Sequence, residues 1–263
     1  MATFPDDPIC SEKIKIFLID NMYNKRLQNE VIHGKFLTNH NAGEIWNWES
    51  PAGKIRWKRR VTMLTNSLKS GMIVLEIGCG TGLFTKEIAK MPVQLTAIDI
   101  SPDLIEIARE NISDSNVSFF VENAYKLPYD NGIFDAVIGS SVLHHLDIEP
   151  ALKEFYRVLK PNGYIAFTEP NMMNPQIALQ KNIKYLKRKA GDSPDETAFF
   201  AWILRKKLEK FGFSGIHISP FDFLHPGIPE RWIKFIKPLT DLAEKIPLLK
   251  HISGSLFINA WRK

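Results

Sequence analysis

The sequence predicts an α/β fold: an open, doubly wound, mostly parallel sheet of seven strands with helices on both faces. Short apolar runs without polar alternation recur between residues 73 and 168, the mark of strands buried on both faces. Helical segments separate these runs, as the crossovers between parallel strands require. The first run breaks into a glycine-rich bend where a strand hands over to a helix.

The elements follow in order. Residues 1–60 are rich in Asn, Trp and charge, with turn signals at His33-Gly34, at 41–43 and at Ser50-Pro51-Ala52-Gly53, and read as a helical extension with loops. Ile55, Val61, Leu64 and Leu68 have the spacing of an amphipathic helix that Gly71 ends. Ile73 to Ile77 is the first strand, with helix expected from the bend to Lys90. Leu95 to Ile98 is the second, ending at Asp99, and Ser101-Pro102-Asp103 offers an N-cap, a first-turn proline and an acid for the next helix. Val117 to Val121 and Phe134 to Ile138 are strands three and four. A helix over Glu149 to Leu159, a turn at Pro161-Asn162-Gly163 and a strand over Tyr164 to Thr168 come next. Thr197 to Phe211 reads as a helix, Ile216 to Ile218 as a strand and Ser255 to Trp261 as the last strand. The alternation lapses at about 171–196 and 224–250, read as insertions because strands resume after each. The expected organisation is a cap over 1–70 and a single domain over 71–263.

Composition excludes several classes. Of 263 residues, 44% are hydrophobic and 24% charged, which is globular and not disordered. No apolar run approaches the ~18 residues a membrane span needs. Cys10 and Cys79 cannot build a disulfide framework, and the first ten residues hold Asp6 and Asp7 but no basic group, so a reducing, cytoplasmic setting is expected. Residues 171–263 hold 16 Lys or Arg against 8 Asp or Glu, whereas residues 1–170 hold 18 against 21. That basic third could meet an acidic substrate, a phosphate or a membrane surface, or simply face water.

The central signal is Val74-Leu75-Glu76-Ile77-Gly78-Cys79-Gly80-Thr81-Gly82. Glycines let the backbone approach a ligand and take positive φ, and the helix after the bend offers unpaired N–H groups. Asp99, closing the second strand, can accept both ribose hydroxyls of a nucleoside. A dinucleotide fingerprint would need glycine at 83, where Leu83 stands. Glu76 also brings negative charge towards a would-be pyrophosphate; it suits a cation bearing ammonium or sulfonium instead.

Residues 74–82 resemble motif I of class I S-adenosylmethionine-dependent methyltransferases, which are Rossmann-like. Further blocks resemble that family in order and spacing: Leu95 to Pro102, Glu122-Asn123-Ala124-Tyr125-Lys126-Leu127-Pro128, Phe134 to Leu146, and Phe155 to Gly163. The resemblance covers about residues 72–170 and is greatest to the branch that methylates small molecules such as quinones, sugars and natural products. It implies S-adenosylmethionine as cofactor. The implied contacts are Glu76, Gly78, Cys79, Gly80 and Gly82, then Asp99 and Ile100, then Asn123 and Ala124, then Ser140. Asn123 stands where the family has Asp, and its side-chain carbonyl can still meet the adenine amino group; Asn162 replaces a turn glycine and tolerates positive φ.

The tandem histidines His144 and His145 end the fourth strand, where open α/β sheets bind ligands. Related O-methyltransferases are thought to use a histidine of this block to deprotonate a hydroxyl acceptor, and one histidine could equally pack beneath the cofactor. No metal is expected. The reading is methyl transfer to a small-molecule acceptor, at oxygen. Its alternatives are a nucleotide-dependent oxidoreductase and a non-catalytic S-adenosylmethionine-binding protein. Trp46, Trp48, Trp57 and the run Arg56-Trp57-Lys58-Arg59-Arg60 lie in the extension that, by resemblance, folds over the site. They could capture an acidic or planar acceptor, contact nucleic acid, or pack as an ordinary helix with its charged face in water. Basic density is modest and no recognition module appears, so nucleic acid is not expected. Trp232 to Leu249 mixes Lys with large apolar residues and reads as a lid, a dimer contact or an interfacial helix.

Overall fold

A computed structural model describes residues 25–39 and 47–263; Cys10, Trp46 and the turn signal at 41–43 lie outside them. Helices α1 (Lys25–Asn39) and α2 (Pro51–Thr65) precede β1 (Ile73–Ile77), α3 (Thr85–Ile88), β2 (Gln94–Asp99), α4 (Pro102–Asn111), β3 (Val117–Val121) and β4 (Phe134–Ser140). A 3-10 turn at Leu143–His145 leads to α5 (Ile148–Val158) and β5 (Leu159–Pro170). Then come α6 (Pro175–Asn182), α7 (Lys184–Lys189), α8 (Ala201–Lys210), β6 (Phe213–Phe221), α9 (Glu230–Lys245), α10 (Pro247–Lys250) and β7 (Ser255–Arg262).

The seven strands run in the order β3-β2-β1-β4-β5-β7-β6. Neighbours from β3 to β5 are parallel, and β7 pairs antiparallel with both β5 and β6. The winding reverses where β1 meets β4, the switch point at which such sheets take ligands. Alternate strand residues feed two cores. Val74, Ala136, Ile138 and Ala166 meet Leu64 and Leu68 on one face. Leu75, Ile77, Val137, Ile165 and Phe167 meet Leu152 and Phe155 of α5 on the other. Buried α5 positions Ile148, Ala151, Leu152, Phe155 and Val158 keep the helical period, so the whole stripe faces the sheet.

The structure departs from the sequence expectations at six places; the first is Ser50-Pro51-Ala52-Gly53, which is no free turn but the start of α2, with Ser50 as its N-cap. His33-Gly34 is no turn but the middle of α1, because a Cβ at Gly34 would sit 2.4 Å from Ser101 Oγ; the glycine admits α4. The helix after the bend shrinks to α3. Ser101 does not cap α4 with its side chain: its N–H donates to Asp99 Oδ1, and its hydroxyl, pressed against Gly34, has no partner among the described residues. The 161–163 turn lies inside β5, with Asn162 at φ 63°. Helix α8 starts at Ala201 and not at Thr197, because Thr197 N–H donates to His144 O and Phe199 bridges Asn171. Among the described residues, no helix is long and apolar enough to cross a membrane. The 232–249 stretch forms α9 and α10 and exposes Trp232, Phe235, Leu239 and Leu242.

Candidate active site

Gly78, Gly80 and Gly82 carry φ of 65°, 56° and 85°, a region most side chains avoid. Each is glycine for a different reason. A Cβ at Gly78 would lie 2.3 Å from Val142 Cγ2, so the glycine lets the exit of β4 close on the bend. One at Gly82 would lie 2.7 Å from Ile112 Cδ1, so this glycine admits the end of α4. A Cβ at Gly80 would meet nothing within 4 Å among the described residues. Asp99 ties the bend to β2: Oδ2 accepts from Gly80 N–H and Oδ1 from Ser101 N–H, both at 2.9 Å. Burial raises the Asp99 pKa, while those two donors oppose the rise. A carboxylate has about four lone-pair sites, so two remain for a ligand's hydroxyls.

A cavity of about 480 Å³ opens above the bend, within the usual size for a small-molecule site. Gly78, Cys79, Gly80, Asp99, Ile100, Asn123, Ala124, Ser140, His144 and His145 all line it. Glu76 and Gly82 do not; they lie behind the wall. Asn123 turns its side-chain oxygen to Tyr125 N–H at 2.9 Å. Ser140 Oγ is paired with Thr168 Oγ1 at 2.8 Å.

Two features of the floor fit an adenosine-bearing cation. Gly80 is an unfilled cradle, and Glu76 is a buried carboxyl whose Oε2 has no partner among the described residues. Burial pushes the Glu76 pKa up to about 7, with the Thr85 hydroxyl opposing and Asp99 adding to the rise. A nearby cation would relieve that cost and keep the group ionised.

One end of the cavity holds the histidines in a carboxylate-rich net. His144 Nδ1 lies 2.7 Å from Glu169 Oε2, and Glu169 also accepts backbone N–H bonds from Val142, Leu143 and His144 at 3.0, 2.8 and 3.3 Å. This single carboxylate, at the end of β5, therefore fixes both the 3-10 turn and the ring. With Nδ1 against Glu169, the other ring nitrogen, Nε2, lies 3.6 Å from Glu196 Oε2. His145 Nδ1 pairs with Glu30 Oε2 at 2.7 Å, and Ser193 Oγ donates to the other Glu30 oxygen at 2.6 Å. Burial disfavours charge on His145, but Glu196 and Glu30 outweigh it and raise its pKa to about 9. Lys181 joins Glu196 and Asp192 at 2.6 and 2.8 Å. Burial would raise the Glu196 pKa, yet His145, His144 and Lys181 hold it well below the carboxylate range. The ligand atoms of His144, His145 and Glu196 lie within 4.8 Å of one another, a spacing a metal ion could use; Glu196 instead engages Lys181.

Another part of the lining is basic. Arg56, Arg60 and Trp48 line the cavity there. Arg56 Nε donates to Asp222 Oδ2 at 2.8 Å; Arg60 Nη2 reaches Ser255 Oγ at 2.5 Å and Asp222 at 3.5 Å. Both guanidiniums stack on Trp48, 5.6 and 5.4 Å from its ring centre. Burial pushes the Arg60 pKa down to about 10, Asp222 and Glu169 opposing and Arg56 reinforcing.

Sequence reasoning missed Glu30, Glu169, Glu196, Lys181, Asp192 and Asp222. Only Glu169 carried a signal, an acid closing an otherwise apolar strand at the sheet's ligand end. The others come from segments that match no pattern and meet only in three dimensions.

A methyltransferase-domain family model matches residues 75–167. The chain is 31% identical over 152 residues to an uncharacterised methyltransferase-like protein of Schizosaccharomyces pombe, covering 57% of each. It is 36% identical over 112 residues to a demethylmenaquinone methyltransferase of Chlorobaculum tepidum, covering 42% of this chain and 45% of that one. The match thus spans about half the length of these two relatives. It reaches 69% of a ubiquinone biosynthesis O-methyltransferase of Xanthomonas oryzae pv. oryzae, 30% identical over 166 residues and 58% of this chain. Among solved structures, a Thermotoga maritima S-adenosylmethionine-dependent methyltransferase, described as a possible histamine N-methyltransferase, superposes with a TM-score of 0.64 at 20% identity. It covers 89% of this chain and all of that one. A Haemonchus contortus phosphoethanolamine N-methyltransferase in complex with S-adenosyl-L-methionine gives 0.60 at 18%, covering 95% and 60%. At such identities these two establish the fold alone. With its motif-I bend at the switch point, and with more than two thirds of a 30%-identical relative matched, the chain belongs to the class I S-adenosylmethionine-dependent methyltransferases.

Proposed function

We propose that this chain transfers a methyl group from S-adenosylmethionine to an oxygen of a small-molecule acceptor, with His144 taking the acceptor's proton. Residues 1–70 act as a cap over the domain at 71–263. One observation carries the reading: Gly80, Asp99 and the His144 ring share one cavity of about 480 Å³.

Gly80 leaves its backbone open to a ligand, and Asp99 would hold the ribose hydroxyls. Glu76, an unsatisfied buried carboxyl behind the wall, would stabilise the positive charge. Bound S-adenosylmethionine supplies an electrophilic methyl on a sulfonium. What this chain must add is an in-line lone pair on the acceptor and a home for its proton. Glu169 keeps the His144 Nδ1 proton in place, so Nε2 can accept the hydroxyl proton as the oxygen–carbon bond forms. His145, a cation held by Glu30 and Glu196, is poorly suited as a base near neutral pH and steadies the developing oxyanion instead. The products are a methyl ether, S-adenosylhomocysteine and one proton.

The test is release of S-adenosylhomocysteine across a panel of hydroxylated acceptors. His144→Gln is expected to lower turnover by about 10²–10⁴-fold while leaving S-adenosylhomocysteine binding unchanged. A variant with wild-type turnover on the best acceptor would remove the base. Tight NAD binding without uptake of S-adenosylmethionine would remove the whole reading.

A further inference from the structure

Buried arginines are ordinarily matched one for one by acids, because an uncompensated charge in a low-dielectric site is costly. The basic end of the cavity breaks that rule. Arg59 is taken by Glu244 in a two-point pair, and Glu244 also accepts Asp222 N–H. Among the described residues, Arg56 and Arg60 ion-pair only with the single carboxylate of Asp222, Glu169 acting on Arg60 from farther off. Arg60 is 4% exposed, and its Nε and Nη1 have no hydrogen-bond partner among the described residues. Arg56 spends only Nε on Asp222; its terminal nitrogens have no partner among the described residues, and its side chain is 15% exposed against the cavity. Trp48 covers one face of each guanidinium and Phe221 also stacks on Arg60, so the donors of that pair are held edge-on to the remaining space. Asp222, which orients both, sits at φ 79°, a strained conformation retained where the surroundings demand it.

We propose that Arg56 and Arg60 form the receptor for an oxyanion, a carboxylate or phosphate, carried by the methyl acceptor. This rests on the methyltransferase reading above and narrows it to acidic acceptors. The oxyanion takes the terminal nitrogens of Arg56, with Arg60 behind adding charge and Trp48 offering a flat apolar surface to a planar body. The reacting hydroxyl then turns to the histidines, which line the same cavity. The arrangement also rejects neutral analogues, because binding one leaves the surplus guanidinium uncompensated.

Calorimetry with the S-adenosylhomocysteine-loaded protein tests this, using 4-hydroxybenzoate, phenyl phosphate and the neutral 4-hydroxybenzamide as probes. One or both oxyanions should bind about tenfold or more tightly than the amide, and which one binds names the group. Arg56→Met should abolish the preference and Arg56→Lys restore part of it, with the affinity for S-adenosylhomocysteine unchanged. Asp222→Asn, which removes the competing carboxylate, should tighten oxyanion binding several-fold, a gain no merely structural role predicts. Equal binding of the amide, an Arg56→Met protein that keeps the preference, or no oxyanion binding up to about 10 mM overturns the proposal. Titration without S-adenosylhomocysteine separates the two readings. Oxyanion binding in a protein that takes up no S-adenosylhomocysteine would sink methyl transfer alone, whereas the reverse pattern would sink only the receptor.

Discussion

The floor of the cavity and its walls are built by different kinds of contact. The floor, between the ends of β1 and β4, rests on backbone: three glycines at positive φ, the paired N–H groups of Gly80 and Ser101, and the parallel pairing of β1 with β2 and β4. The walls rest on long-range side-chain pairs. Glu30 meets His145 across 115 positions and Arg60 meets Ser255 across 195. The floor tolerates little change because geometry alone decides whether it forms. The walls can exchange charge with modest cost to the fold, which makes them the place where an acceptor is chosen.

The largest expected effect lies in the floor. Gly78→Val forces a side chain to within 2.3 Å of Val142 Cγ2 at φ 65°, and should abolish S-adenosylhomocysteine binding and lower stability by several kcal/mol, on the order of 3. Gly80→Ala meets only strain, about 1–2 kcal/mol, and should retain the fold; comparable unfolding midpoints for both variants would contradict the distinction. Next comes Glu169, where floor and wall join. Glu169→Ala strands three backbone N–H groups and a histidine in a buried site and should cost about 3–5 kcal/mol. A melting temperature within a degree or two of wild type would show that these groups find other partners.

A wall effect of intermediate size concerns pH. The folded pKa of His145, about 9, lies above its unfolded value near 6.5. Its stabilising contribution is therefore complete below about pH 6.5 and is lost as pH rises through 9, at no more than about 1.4 kcal/mol per pH unit. His145→Asn should flatten denaturation midpoints across that window; an unchanged slope would deny the raised pKa. The smallest effect is at Ser101. Its side chain caps nothing and abuts Gly34, so Ser101→Ala should be neutral or slightly stabilising. A loss near 1 kcal/mol in chemical denaturation would reinstate the capping role.

Much of the fold was legible because its signals are local. Runs such as Val74 to Ile77 and Phe134 to Ile138 can only be strands buried on both faces, and Gly78-Cys79-Gly80-Thr81-Gly82 can only be a tight bend. Local signals misled where tertiary contact overrode them. Gly34 looked like a turn and proved to be the point where α1 meets α4. Ser101 had the identity of a cap, yet Asp99 takes its N–H.

The sequence by itself determined the winding of the parallel strands, the bend at the switch point and the family, since each depends on residues close together in the chain. Only the tertiary structure decided which acids orient His144 and His145, and which carboxylate two arginines must share. Those pairings join segments from 25 to 166 positions apart, and charge, unlike a hydrophobic period, carries no spacing that points to its partner.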